Sequence, residues 1–245
     1  MGSHCCVDVK LFCELAQSHL ETCDLQGLVL SVQSQWRPSQ IALLLGHEEV
    51  CVRRLATVTL GLLGDPTTVC SVSRALHDPD PQVRELTEHA LWTLWFQLGD
   101  PISQDDFVAG LDEAELQNLE AAIAHFSRAI ELDPTFAEPY HQRALAHAAL
   151  EHWPQCLDDC RACLSLMPQH FSAVTTVGHC YTQMGDLKSA AEQYRLAMSI
   201  NPRLRSDLGP ATARLESFLA QQDQQQQQQQ QSDHTAAPEP APGDR

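Results

Sequence analysis

Three prolines, Pro134, Pro168 and Pro202, stand 34 residues apart, and other positions keep the same step. Five residues before each proline is a small side chain: Ala129, Cys163, Ala197. Before those come Phe126, Cys160 and Tyr194, then Ala122, Cys156 and Ala190, then the large apolar Leu119, Trp153 and Leu187. Further upstream a second small residue recurs at Gly110, Ala144 and Gly178. A fixed period of this length means one supersecondary unit repeated. Small residues let two helices approach closely, a large neighbour fills the space beside them, and proline stops the second helix because it cannot donate the next hydrogen bond. A hairpin of this kind cannot bury its apolar face alone, so copies must stack on a continuous core.

The pattern resembles the tetratricopeptide repeat. The fullest copy is 171–204, with Val174, Val177, Gly178, Tyr181, Gly185-Asp186, Ala190, Tyr194, Ala197 and Pro202 in the family's places. The copy at 137–170 keeps Tyr140, Ala144, Trp153 and Pro168. The copy at about 103–136 matches only from Leu119 to Pro134; its acidic first half reads as a degenerate helix or a junction. After Pro202, Leu208, Ala211, Leu215, Phe218 and Leu219 lie at helical spacing, which predicts a closing helix over 205–220. From 221 to 245 the chain is glutamine followed by Ser, Ala, Pro and acids, too poor in apolar surface to offset ordering entropy, and is expected to be disordered.

The front of the chain repeats differently. Val52-Arg53 opens an apolar run ending in Leu63-Gly64-Asp65-Pro66, and Val83-Arg84, 31 residues on, opens one ending in Leu98-Gly99-Asp100-Pro101. With Asp78-Pro79-Asp80-Pro81 between them, this resembles HEAT-like repeats. The resemblance implies that the arginine reaches neighbouring turns and the aspartate caps a helix. Residues 24–101 are assigned to this unit, with 25–35 and 38–45 as one earlier hairpin. Residues 1–23 form an N-terminal Cys/His-containing helical segment, and 102–220 the tetratricopeptide region. The fold class is all-α, an α-solenoid of stacked hairpins in a single superhelix, with Trp92, Trp95 and Phe96 buried near the join.

Composition limits function. The net charge is −17, with 15 Lys and Arg against 32 Asp and Glu. Binding nucleic acid or an anionic membrane needs the opposite surplus, so neither is expected. Acids collect between Arg84 and Arg128, where no Lys or Arg occurs: Asp100, Asp105, Asp106, Asp112, Glu113, Glu115 and Glu120 read as a solvated face, with a basic partner as the sharper alternative. The first 30 residues show no apolar leader, and the longest apolar stretch, Ile41–Leu45, is far too short to span a bilayer. Most of the ten cysteines sit inside helical patterns, and a reducing cytoplasm suits them.

Several motifs compete with packing. Cys156-x3-Cys160-x2-Cys163 has the spacing of the iron–sulfur motif of radical S-adenosylmethionine enzymes. These cysteines nevertheless fill the places of Ala122, Phe126 and Ala129, where a thiol is a small hydrophobe. Cys5 (or Cys6), Cys13, His19 and Cys23 could supply four zinc ligands; the same stretch also reads as an ordinary amphipathic helix. Met1-Gly2 with Cys5-Cys6 is a weak acylation signal, lacking Ser or Thr at residue 6. No motif for hydrolysis, phosphate binding or dinucleotide binding appears, so no catalysis and no cofactor are expected.

The family resemblance implies a concave groove lined by the first helix of each hairpin. It places His141, Gln142, Leu145, Ala148 and Ala149, then Thr175, Thr176, His179, Thr182 and Gln183, on that wall. Chaperone-binding members use a Lys/Asn/Arg clamp for a C-terminal carboxylate. The matching positions here hold Phe107, Leu111, Gln142, Ser172 and Thr176, so the clamp is absent. The expected function is a non-enzymatic interaction scaffold for a protein or peptide, with a zinc-dependent regulator as the alternative.

Overall fold

The computed structural model describes residues 7–235, and among these every regular element is helical. Cys5, Cys6 and the Met1-Gly2 signal, and with them 236–245, lie outside the described residues, so those expectations do too.

Six helices form three hairpins: α7 (Pro101–Glu115) with α8 (Leu119–Leu132), α9 (Ala137–Ala149) with α10 (Trp153–Leu166), and α11 (Phe171–Gln183) with α12 (Leu187–Ile200). Their inner turns are identical in kind. Gln117, Glu151 and Gly185 take φ of 63°, 59° and 81°. The next amide reaches back five residues: Asn118 to Glu113 at 2.9 Å, His152 to His147 at 2.8 Å, Asp186 to Tyr181 at 2.9 Å. This is a left-handed closure that satisfies the last helix carbonyls. The first repeat, degenerate in sequence, is therefore regular in backbone, and its acidic stretch lies on an ordinary helix capped by Asp100.

The recurring small residues sit where the helices approach closely, and the large groups they face are the Phe126 and Tyr194 rings. A Cβ built on Gly110 would lie 2.5 Å from Phe126, and one on Gly178 would lie 2.5 Å from Tyr194. In the middle repeat Ala144 shares a buried cluster with Cys156 and Cys160 instead. The slot is filled either by glycine plus an aromatic ring or by alanine plus a thiol.

In the front half, α1 (Val9–Glu21) and α2 (Leu25–Gln35) make a hairpin with the same turn: Cys23 has φ 56° and the Asp24 amide reaches His19 at 2.9 Å. This hairpin crosses the boundary expected at 23/24. Phe12 and Ala16 bury themselves with Leu28 and Val32, so α2 pairs backward, while the next helix, α3 (Pro38–Ile41), is a single turn. Then come α4 (Val50–Leu63), the short α5 (Val69–Arg74) and α6 (Pro81–Gln97). The two arginines of the 31-residue repeat behave alike. Arg53 Nη1 donates to the His47 and Glu48 carbonyls at 2.9 and 3.0 Å; Arg84 Nη1 donates to those of Asp78 and Pro79 at 2.7 and 3.1 Å. Asp80 caps α6 through the Val83 amide.

The join between the halves differs from the end-on stacking expected for one superhelix. A hairpin added to the end of the stack would touch α7 and α8 alone. Instead α6 runs along the edge of all three repeats. Phe96 meets Phe107 at 5.4 Å, Trp92 lies 6.4 Å from His141, Trp95 lies against His170 and Phe171, and Glu88 binds Asn201 and Arg203. Farther back, His77 reaches the Ser199 carbonyl at 3.0 Å. The aromatic run is thus at the join, with Trp95 only 1% exposed.

The last helix, α13 (Arg205–Thr235), covers the third repeat with Leu208 and Thr212. It continues as a lone helix into the glutamine run. Glutamine is a good helix former and extends a helix already nucleated. Side chains 221–229 are all exposed, so this part contributes nothing to the core.

Candidate binding groove

The inner helices α7, α9 and α11 present matching rows at steps of 34 residues. The row nearest their N-termini is closed. Phe107 is 1% exposed and His141 is 0% exposed, because the ridge Trp92–Phe96 of α6 lies over them. His141 was expected on the groove wall; it faces the join instead. Thr176 is likewise buried, its hydroxyl donating to the Ser172 carbonyl at 3.0 Å. Both leave the candidate binding set: His141 because the front half covers it, and Thr176 because it packs within the stack, against Ser172 and His141.

Val108, beside the covered Phe107, and the rows nearer the helix C-termini remain open. Leu145 is 40% and Val108 50% exposed, and His179, Gln183 and Ala149 are exposed. Gln142, Thr175 and Thr182 are half-buried. Gln142 donates to Glu138 at 2.7 Å, and Thr182 lies 3.1 Å from the Tyr194 hydroxyl, which also meets His179 Nδ1 at 3.0 Å. The His179 ring is exposed at its outer edge but desolvated where Nδ1 meets Tyr194, which pushes the imidazole below its ordinary value, so its outer nitrogen is available to a partner in the neutral form. The wall is apolar at Val108 and Leu145 and polar but uncharged at His179 and Gln183. Val108 was not among the sequence candidates; its equivalence to Gln142 in the 34-residue register would have found it.

Beneath the closed end lies a network that the sequence did not suggest. Glu138 Oε1 is 3.2 Å from His141 Nδ1 and its Oε2 is 2.8 Å from His170 Nε2, with all three side chains fully buried. His170 Nδ1 accepts the Ala173 amide at 3.1 Å, capping α11, so its proton resides on Nε2 and points at Glu138. Burial alone would raise the Glu138 carboxyl; hydrogen bonds from the two histidines outweigh it and hold the group at about 2. Burial dominates at His170 and pushes it down, leaving a neutral imidazole donating to a carboxylate. These donor atoms are close enough together for a metal ion. The fit fails at His170, whose second nitrogen would have to carry a proton where it accepts one. The trio is a hydrogen-bonded lock. Its signal in the sequence was His170 standing in the register position of Phe136.

The other ligand candidates separate. Both ring nitrogens of His19 are engaged, Nδ1 with Asp24 at 3.1 Å and Nε2 with Ser31 at 3.2 Å. Among the described residues Cys13, His19 and Cys23 do not converge. Cys156 and Cys160 pack with Ala144 and Val177, whereas Cys163 belongs to a different cluster with Ala137 and Ala173. The Cys156 thiol is pushed up to about 12, first by its contact with Cys160, and burial raises Cys163. Such thiols are packing groups.

Comparison with known proteins agrees with the backbone. The family model described as TPR repeat matches residues 110–150, and the one described as Tetratricopeptide repeat matches 172–204. The chain carries tetratricopeptide repeats. Small glutamine-rich tetratricopeptide repeat-containing protein 2 of Saccharomyces cerevisiae is 30% identical over 84 residues, 34% of this chain and 24% of that protein. Protein bimA of Emericella nidulans is 33% identical over 81 residues, 33% of this chain and 10% of that protein. The chain thus spans a quarter or less of the length of these relatives. Among solved structures, the Sgt2 TPR domain from Aspergillus fumigatus is similar at TM-score 0.44 and 20% identity, covering 60% of this chain and 91% of that one. The first TPR of Spaghetti (RPAP3) bound to an HSP90 peptide is similar at 0.47 and 17%, covering 50% and 97%.

Proposed function

We propose that the chain is a non-enzymatic adaptor that holds a partner peptide or helix in the open C-terminal half of the groove. Val108, Leu145, Ala149, His179 and Gln183 form the contact, flanked by Gln142, Thr175 and Thr182. The observation that carries this reading is the division of the inner wall: α6 covers Phe107 and His141, and leaves Leu145 and His179 uncovered. A free C-terminal carboxylate is not the anchor, since Phe107, Gln142, Ser172 and Thr176 supply no cation at the clamp positions. The matched arginine contacts of Arg53 and Arg84 support a HEAT-like reading of 24–101. Buried thiols in alanine positions favour a reducing compartment such as the cytoplasm. The charge of −17 favours neither nucleic acid nor an anionic membrane. Among the described residues no helix is long and apolar enough to cross a membrane.

The test is selection of binding peptides from a displayed random library, followed by Leu145→Arg and His179→Ala with Gln183→Ala. Central contacts of this kind each contribute about 1–3 kcal/mol. Selected peptides should lose binding while the melting temperature holds. Peptides that bind these variants undiminished would remove the groove from the mechanism.

A further inference from the structure

Arg53 and Arg84 are the same residue of two successive hairpins, and only one of them has a complete set of partners. Arg53 ties Nη1 to its own turn and closes the rest of its fork on Asp78, Nε to Oδ2 at 2.7 Å and Nη2 to Oδ1 at 2.9 Å. Arg84 ties Nη1 to its turn in the same way. Its Nε and Nη2 meet no carboxylate among the described residues. The position 31 residues beyond Asp78 is Ala109, inside α7, because the chain has by then switched to tetratricopeptide hairpins.

Arg84 lines a cavity of about 500 Å³ with His77, Asp78, Pro79, Pro202, Arg203 and Arg205. Asp78 is already held by Arg53. Arg203 shares Glu88 with Asn201, and Arg205 has no ion pair among the described residues. A chain of net charge −17 therefore concentrates three arginines around one hollow whose acids are spoken for.

We propose that this junction cavity binds an acidic peptide segment of a partner. One carboxylate takes on Arg84 the place that Asp78 takes on Arg53, accepting two parallel hydrogen bonds from Nε and Nη2. Arg203 and Arg205 attract the neighbouring acids. Bidentate geometry distinguishes guanidinium from a point charge. The cavity lies at the start of α6 and of α13, away from the open groove, so one chain presents two surfaces of different chemistry.

The experiment is fluorescence anisotropy of labelled hexaglutamate, with a free or an amidated C-terminus, against the full chain at low salt, with hexaglutamine as control. Hexaglutamate should bind and hexaglutamine should not. Equal binding of the two forms assigns side-chain carboxylates; preference for the free acid assigns the C-terminus. Arg84→Gln and Arg84→Lys should each weaken binding by about tenfold or more, the lysine because charge without the fork is insufficient. Arg205→Gln, at an exposed side chain with no ion pair among the described residues, should weaken it by a smaller factor and guards against misfolding of the Arg84 variants. Arg161→Gln, on exposed α10 surface, should change nothing. Absence of saturable hexaglutamate binding, or binding that survives Arg84→Gln with Arg205→Gln, overturns the proposal.

Discussion

The indole of Trp95 lies on the imidazole of His170, ring centroids 3.9 Å apart and planes 18° from parallel. One residue comes from the front half and the other caps a tetratricopeptide helix, so this stack is the centre of the join. Trp95→Ala should cost about 3–5 kcal/mol, the range for emptying a buried aromatic site. Trp95→Phe should cost less, partly because the Trp95 Nε1 has no hydrogen-bond partner to lose. Chemical denaturation measures both, and limited proteolysis of Trp95→Ala should cut between the halves.

The lock below this stack gives stability a defined acid dependence. His170 is held below its ordinary 6.5, so its contribution is complete above that value and declines as pH falls through the lower folded-state value. Glu138 is held at about 2 against an ordinary 4.5, so its contribution is complete above 4.5 and is lost between 4.5 and about 2. Melting temperature should therefore fall in two stages on acidification. Glu138→Gln should lower stability at neutral pH by about 1–3 kcal/mol and abolish the lower stage. Titration of both proteins by circular dichroism checks this.

The three inner turns carry the same left-handed residue, but only Gly185 is glycine. Gln117 and Glu151 adopt that conformation at a steric cost. Gln117→Gly or Glu151→Gly should stabilise by about 0.5–1 kcal/mol, relief of strain being partly offset by greater freedom in the unfolded chain. A lower denaturation midpoint for both variants would contradict the turn geometry.

Gly178 and Tyr194 test whether the helix contacts are interchangeable solutions. Gly178→Ala should destabilise by about 1–3 kcal/mol, because its methyl meets the ring. Adding Tyr194→Cys reproduces the Ala144–Cys160 pair of the middle repeat and should recover part of the loss. A double-mutant cycle measures the coupling.

The repeats were legible because their physics is local. A 34-residue period, small residues at the helix contacts and proline at each exit are written in consecutive residues, whereas the pairing of Gly110 with Phe126 and of Gly178 with Tyr194 is visible only in the fold. The contacts of Arg53 and Arg84 with their own turns were anticipated only through the HEAT-like resemblance. The binding wall was less so. Family register places His141 in the groove, and it would be there in an isolated stack. What buries it is Trp92, some 49 residues away in sequence and on a unit with its own period. No window shorter than that separation shows the two meeting. The lock failed to show for a similar reason, since Glu138 and His170 come together only when successive hairpins stack.

An array of repeats usually unfolds as neighbours in a row, each unit depending on the next, so its ends can fray while its middle persists. The helix α6 removes that freedom. By touching Phe107 in the first repeat, His141 and His170 at the next two, and Arg203 beyond the third, it links units that would otherwise communicate only in sequence. Unfolding of one repeat then also strips contacts from α6, which braces the others, so the transition should be more nearly all-or-none than in an unbraced array. Assembly bears the complementary burden. Contacts between Glu88 and Arg203 span 115 residues, so the final docking waits on a long chain closure and should be slow beside the formation of the hairpins themselves.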